Sequence, residues 1–343
     1  MDRERWQEIQ KKNGKSNKAV VIGVIIAIAV GVGVATYFIS ATGTVQKQGI
    51  TGSATESSRG LVTLVDWKHV HGIGIDPADP NIIYVATHAG LYKSSGGSGW
   101  IIVGTDRSDL TGFAIHPYDS KVMYSSGQQG ENLEFRKSAD GGLTWLTLSS
   151  VPSPPARFHA MTISAASPNI LYNSPGRELF GSQDGGESWE RVNSPSDNVI
   201  SLAAHPKDEK VVFAGTANGI YRSDDQGFTW RQLDEFKGLR VSALAFGREG
   251  ILYAFVASQM HLAAVGMVRS SDDGNNWTEL GWKYRAEVVF NIAVDQVNQD
   301  TLYAYGALHL PSGEIPDSLY KTTNGGQSWS LIATNNKSHP ALG

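Results

Sequence analysis

One octad recurs along this chain and constrains its fold more than any other feature. Its clearest copy is Ser182-Gln-Asp184-Gly-Gly186-Glu-Ser-Trp189, of the form Ser/Thr-x-Asp-x-Gly-x-x-Trp. It returns around Asp140 (Ser138 to Trp145), Asp225 (Ser223 to Trp230) and Asp272 (Ser270 to Trp277), and at Thr322 to Trp329 with Asn324 in the acidic position. A decayed copy, Lys93-Ser-Ser-Gly-Gly97-Ser-Gly-Trp100, precedes them. An aspartate ahead of glycine closes a tight turn, because its carboxylate accepts backbone N–H groups while the glycine supplies positive φ. The Ser or Thr hydroxyl bonds the same turn, and the Trp opens the next strand with a large apolar ring. The octad is a hairpin clasp rather than chemistry.

The clasp tryptophans, Trp100, Trp145, Trp189, Trp230, Trp277 and Trp329, are 45, 44, 41, 47 and 52 residues apart by subtraction. A period in the forties made of strands alone is a propeller signature. Each unit reads as four strands; in the fourth these are residues 199–206, 211–216, 219–223 and 229–233. The first strands align as Ile73-Gly-Ile75, Phe113-Ala-Ile115, Met161-Thr-Ile163, Leu202-Ala-Ala204, Leu244-Ala-Phe246 and Ile292-Ala-Val294. This alternation fits an inner strand with two differently packed faces. The expectation is an all-β, six-bladed β-propeller over residues 61–335, with residues 61–65 as a closing strand or a degenerate seventh blade.

The N-terminal region reads differently. Residues 1–18 are polar and basic, and residues 19–39 carry no charge. Twenty-one residues at about 1.5 Å each span a bilayer core of about 30 Å. Positive charge before the span predicts a single-pass anchor at the cell membrane, N-terminus cytoplasmic and propeller outside; a cleaved signal peptide is the alternative. Residues 40–60 read as a Gly/Ser/Thr-rich tether and 336–343 as a tail. A net charge of −4 argues against a nucleic-acid surface, and the absence of cysteine excludes disulfides and thiolate metal sites.

In a four-stranded meander, the clasps and the His-Pro turns at His116 and His205 share one face. Loops between second and third strands share the other. Long insertions are expected there at 127–136, 256–267 and 306–317, and long loops on a rigid scaffold are where binding concentrates. His116 and His205 read as structural, and His339 as solvated tail. Six histidines map to the insertion face: His69, His71, His88, His159, His261 and His309. His69 and His71 share one side of the first strand, His88 ends the next strand, and His159 repeats the position of His71, preceded by Arg157. Gln128 and Gln129 end the corresponding strand of blade two. The ligand site expected from this pattern is His69, His71, His88, Gln128, Arg157 and His159. Within it His69, His71, His88 and His159 could hold copper or zinc, or else line a metal-free polar pocket.

The clasp with its spacing resembles the Asp-box of sialidase-type (BNR) repeats. His-x-His-Gly, Ala-Thr-His-x-Gly-Leu and Phe-His-x-Met further resemble prokaryotic single-propeller proteins labelled glycosyl-hydrolase-like or exo-sialidase-like, over residues 68–332. That group tends to carry Ser-Gly-His-Pro where this chain has Ser126-Gly127-Gln128-Gln129. Sortilin-type receptors and photosystem assembly-factor propellers share the repeat and act by binding.

Glycosidases require two positioned carboxylates. The insertion-face acids Asp66, Asp109, Glu131, Glu287 and Glu314 show no diagnostic spacing, and the arginine motif that opens true sialidases is absent. The two-propeller endoglucanases share the box but build their cleft from two propellers. The expectation is therefore an interaction or assembly module, more a binder than an enzyme, engaging a protein or glycan partner. An exo-sialidase-like hydrolase on surface glycans, or a His-rich copper or zinc subunit of a membrane complex, are the alternatives. The sequons at Asn276 and Asn336 are the candidate glycan attachment points.

Overall fold

Six four-stranded antiparallel meanders follow one another along the chain, and their first strands form a closed inner ring. The computed structural model describes residues 63–65, 67, 69–129, 132–152, 159–257, 266–280, 286–310 and 313–335. The first strands of blades one to six are Val70–Ile75, Gly112–Ile115, Ala160–Ile163, Val199–Ala204, Arg240–Phe246 and Ala286–Val294. Each touches the first strand of the next blade, and blade six touches blade one. Residues 61–65 do not begin a seventh blade. Thr63–Val65 pairs in parallel with Ser330–Asn335 as the fifth, outermost strand of blade six, so the two ends of the propeller close the ring by main-chain hydrogen bonding.

The apolar core is divided among the blade interfaces. One buried cluster joins blades one and two through Tyr84, Leu91, Phe113 and Met123, and another joins blades five and six through Phe255, Met267, Ile292 and Trp329. The cluster around Trp67, Ile83, Tyr303 and Leu319 seals blade six to blade one.

The clasp tryptophans belong to these interfaces. Trp189 of blade three stacks on Phe135 of blade two, with centroids 4.1 Å apart and planes within 7°. Trp145 packs in the cluster between blades one and two. Each octad thus closes its own hairpin and grips the blade before it.

The clasp geometry repeats closely. In blade two, Ser138 Oγ donates to Asp140 Oδ1 at 2.8 Å, and Gly142 N donates to Ser138 Oγ at 2.9 Å. Thr144 N and Oγ1 donate to the two Asp140 oxygens at 2.9 and 2.6 Å. In blade six the neutral Asn324 Oδ1 takes the same bonds from Thr322 Oγ1 and Ser328 N. In blade five the Asn276 amide donates to Asp272 Oδ2 at 2.6 Å, so the sequon nitrogen is already engaged in its own clasp. His205 and His116 sit on this face as turn caps. His205 Nδ1 accepts from Lys207 N and Asp208 N, and His116 Nδ1 from Tyr118 N. Asp76 and Asp295 do the same work in blades one and six.

Two expected insertions are not loops. In blade two the strands Met123–Gln129 and Asn132–Ser138 run on to a tight hairpin, and in blade six Leu302–Leu310 and Gly313–Thr322 do the same. Polar and glycine residues there read as loop, but ladder pairing carries the strands beyond the body of the blade. Among the described residues no helix is long and apolar enough to cross a membrane. The apolar run 19–39, the flanking segments 1–18 and 40–60, the tail 336–343 and Asn336 lie outside them.

Two outcomes follow from the clasps. A Cβ at Gly142, where φ is +87°, would meet Leu91 Cδ2 at 2.4 Å across the interface. Gly142→Ala is therefore expected to cost about 1–3 kcal/mol in urea unfolding, whereas Gly96→Ala, with open space around its Cβ position, should cost less. Hydrogen bonds from the Thr144 and Asn276 side chains, then their backbone N–H groups, hold Asp140 and Asp272 down to about 2. The folded state then binds fewer protons than the unfolded one between these values and the ordinary carboxylate pKa. The contribution of these two clasps to stability should be constant above about pH 4 and be lost as pH drops toward 2. The double variant Asp140→Asn/Asp272→Asn, copying Asn324, should flatten that acid limb in pH-resolved denaturation curves.

Candidate functional site

The channel along the propeller axis is plugged at mid-height by a ring of six side chains, Ile73, Phe113, Met161, Leu202, Leu244 and Ile292. These are the leading residues of the aligned first-strand triplets. They floor a cavity of about 240 Å³ that opens on the face away from the clasps. The site is the wall of this cavity.

The wall is built by a repeated irregularity. In blades one, four, five and six the ladder between first and second strands skips a residue at His71, Ile200, Ser242 and Phe290, with one further skip at position 287 in blade six. A β-bulge re-aims the side chain it carries, and all four of these residues line the cavity, as does His159 from blade three. At the matching position of blade two, Thr111 instead bonds Ser126 and is buried. The sequence therefore decides, blade by blade, what the mouth displays.

In blade one that display is imidazole. Trp67, fully buried, packs edge-on to Trp100 at 5.0 Å and to Tyr305 at 5.8 Å, which anchors the chain just before the strand. His69 then takes φ = 49°, a left-handed conformation uncommon for a residue with a Cβ. Its carbonyl accepts from His88 N at 3.2 Å. His88 stands at the tip of a turn that Thr87 holds by donating from Oγ1 to Gly90 O at 2.9 Å.

The rings of His69, His71 and His88 lie 4.4–5.0 Å apart, and one ring nitrogen from each lies within 4.8 Å of the others. His159 is further off, its ring centroid 6.0 Å from that of His71. Asp109 joins the cluster from the blade one to blade two connection. Its Oδ2 is 2.7 Å from His88 Nδ1 and its Oδ1 is 3.3 Å from His71 Nε2.

The electrostatics follow from this packing. Desolvation in the mouth, and then the neighbouring imidazoles, lower the His69 pKa to about 4 despite the opposing Asp109 charge. The ring is thus neutral at pH 7. Burial alone would push the Asp109 carboxyl up, but hydrogen bonds from His71 and His88 outweigh it and hold the group well below the usual carboxylate range. Beside it, Arg136 pairs with Glu134 at 2.8 Å and bonds Ser108. Arg240, its pKa lowered by burial, lines the same cavity from blade five.

Arg157, Asp66, Glu131 and His261 lie outside the described residues, and of Gln128, Gln129, Glu287, His309 and Glu314 only the backbone is described. The structure thus gathers His69, His71 and His88, keeps His159 at the edge, and adds Asp109 and Arg240. Both additions could have been found from register: each stands two residues before the bulge-equivalent position of its blade, where His69 stands in blade one.

No family model matches this chain. Xyloglucanase Xgh74A of Acetivibrio thermocellus is 25% identical to it over 309 residues, covering 77% of this chain and 32% of that protein. A probable oligoxyloglucan-reducing end-specific xyloglucanase of Neosartorya fischeri is 24% identical over 242 residues, covering 62% and 28%. The chain thus spans about a third of the length of these curated relatives. Among solved structures, the GH74 xyloglucanase of Xanthomonas campestris superposes with a TM-score of 0.56 at 18% identity over 79% of this chain and 46% of that one. YCF48 bound to D1 peptide gives 0.50 at 15% identity over 79% and 82%. The structural likenesses establish the propeller alone. The curated relatives correct the functional expectation. They are named as glycan-cleaving enzymes, so the reading as an interaction module, more a binder than an enzyme, gives way to its glycoside hydrolase alternative.

Proposed function

We propose that this propeller is a glycoside hydrolase acting on a plant-type β-glucan or related polysaccharide through the open face of its channel. The sequence relationship to named xyloglucanases over 77% of the chain carries this reading. The mouth supports it. An open polar cavity lined by imidazoles, Arg240 and Asn291 suits hydroxyl-rich sugar rings, while Phe290, 38% exposed, offers an apolar ring for a sugar face.

Hydrolysis of a glycosidic bond needs one carboxylate that stays ionised and one carboxylic acid that holds its proton. Asp109 fits the first role, kept ionised by His88 and by His71, which itself lines the cavity. For the proton donor we look to Glu131, Glu287 and Glu314, three of the acids expected on this face from the sequence, and to Asp317. Burial holds the Asp317 carboxyl up, against a hydrogen bond with Tyr305. With residues 19–39 as a membrane anchor, the enzyme would work on glycans outside the cell.

Reducing-end release from xyloglucan and a panel of other β-glucans tests the proposal. Asp109→Asn is expected to lower kcat by about 10²–10⁴ with little change in KM, and one of Glu131→Gln, Glu287→Gln, Glu314→Gln or Asp317→Asn should match it. Failure of the parent chain to cleave any glycan in the panel, or full activity of Asp109→Asn, would sink it.

A further inference from the structure

The cluster at the mouth holds more imidazole than sugar recognition requires. His69, His71 and His88 come from one blade, and two backbone irregularities within three residues bring the first two together: the positive φ of His69 and the bulge at His71. Strained conformations persist only where the surroundings enforce them, and they cluster at ligand sites. Here the enforcing parts are visible. Trp67 is buried on one side, and the Thr87 turn, bonded through His88 N to His69 O, closes the other. Core packing does not account for the cluster, because His69 and His88 are exposed residues.

We infer that His69, His71 and His88 form a three-imidazole site for one late first-row divalent cation, zinc or copper, at the channel mouth. The donor chemistry suits these ions, since neutral imidazole is their common protein ligand. Ring nitrogens bound at about 2.0–2.1 Å in tetrahedral geometry lie about 3.3 Å from each other. The present separations, within 4.8 Å, close to that by small rotations of the two exposed rings.

Asp109 is the outer partner. His88 Nδ1 lies 2.7 Å from its Oδ2 and His71 Nε2 3.3 Å from its Oδ1, so with both rings donating to the carboxylate His88 presents Nε2 and His71 Nδ1 to the ion. His159, 6.0 Å from His71 ring to ring, stays outside the ligand set. Three protein ligands leave a fourth position for water or a ligand oxygen. The site does not depend on whether the protein cleaves glycans.

The test uses the full chain in detergent, stripped with a chelator, dialysed against zinc or copper and assayed by elemental analysis. Cobalt substitution reports geometry through the intensity of its visible bands. One ion per chain is expected, with strong tetrahedral-type cobalt absorption. His88→Gln replaces an exposed residue and should leave the metal-free melting curve unchanged while weakening zinc at least tenfold. Asp109→Asn should weaken it about 10–100-fold, and His116→Gln, on the opposite face, should not change it. The inference fails if the stripped chain takes up no stoichiometric ion. It also fails if the triple variant His69→Gln/His71→Gln/His88→Gln keeps the parent affinity. Stoichiometric uptake without glycan cleavage would keep the site and remove the hydrolase reading. Cleavage without uptake would do the reverse.

Discussion

Burial between blades is the constraint on which this structure depends. A single four-stranded meander has two faces and cannot bury either alone, so its apolar residues find cover only against the next blade. The six interface clusters meet that need; Trp189 and Trp329 of the clasps lie inside them and the other four clasp tryptophans pack against them. Because every blade must be covered on both sides, the ring has to close. The parallel pairing of Thr63–Val65 with Ser330–Asn335 and the Trp67 cluster between blades six and one perform that closure.

Closure also sets where chemistry can sit. The clasps and turn caps occupy one face with bonds that are already satisfied. The six-residue apolar ring blocks the channel behind the other. What remains is a shallow polar mouth lined by the bulges of the inner strands of blades one, four, five and six, with His159 from blade three. The bulge is an architectural device that repeats around the ring, and the residue placed on it varies from imidazole to Ile200, Ser242 and Phe290. Variation at one repeated position is how a symmetric scaffold acquires an asymmetric site.

That asymmetry bears on the comparison with the xyloglucanases. The relatives at 24–25% identity are named xyloglucanases, while the blade-one imidazoles and Asp109 form a cluster of a different character. The two readings meet at Asp109, which stays an unligated carboxylate in both, ionised and hydrogen-bonded to the ring of His88. A metal site beside a glycan surface would place a fixed positive charge where sugar hydroxyls arrive.

Much of this was legible beforehand. The octads and their spacing specified blade count, clasp geometry and the faces of His69, His71, His88, His116, His159 and His205, because turn chemistry and period are local properties. The hairpin extensions in blades two and six were missed, since polar residues can continue a strand when a partner ladder is present. The closing strand was visible as a segment but not as a partner, because its pairing spans nearly the whole propeller. Asp109 illustrates the remaining gap. Its register two residues ahead of Thr111 was legible among several loop acids, but only the approach of the blade one to blade two connection to the Thr87 turn sets it against His71 and His88. The chain alone thus determined the propeller and the imidazoles it would display. The tertiary structure decided which of them converge and with what carboxylate, because bulges, a left-handed residue and ring closure act between segments far apart in sequence.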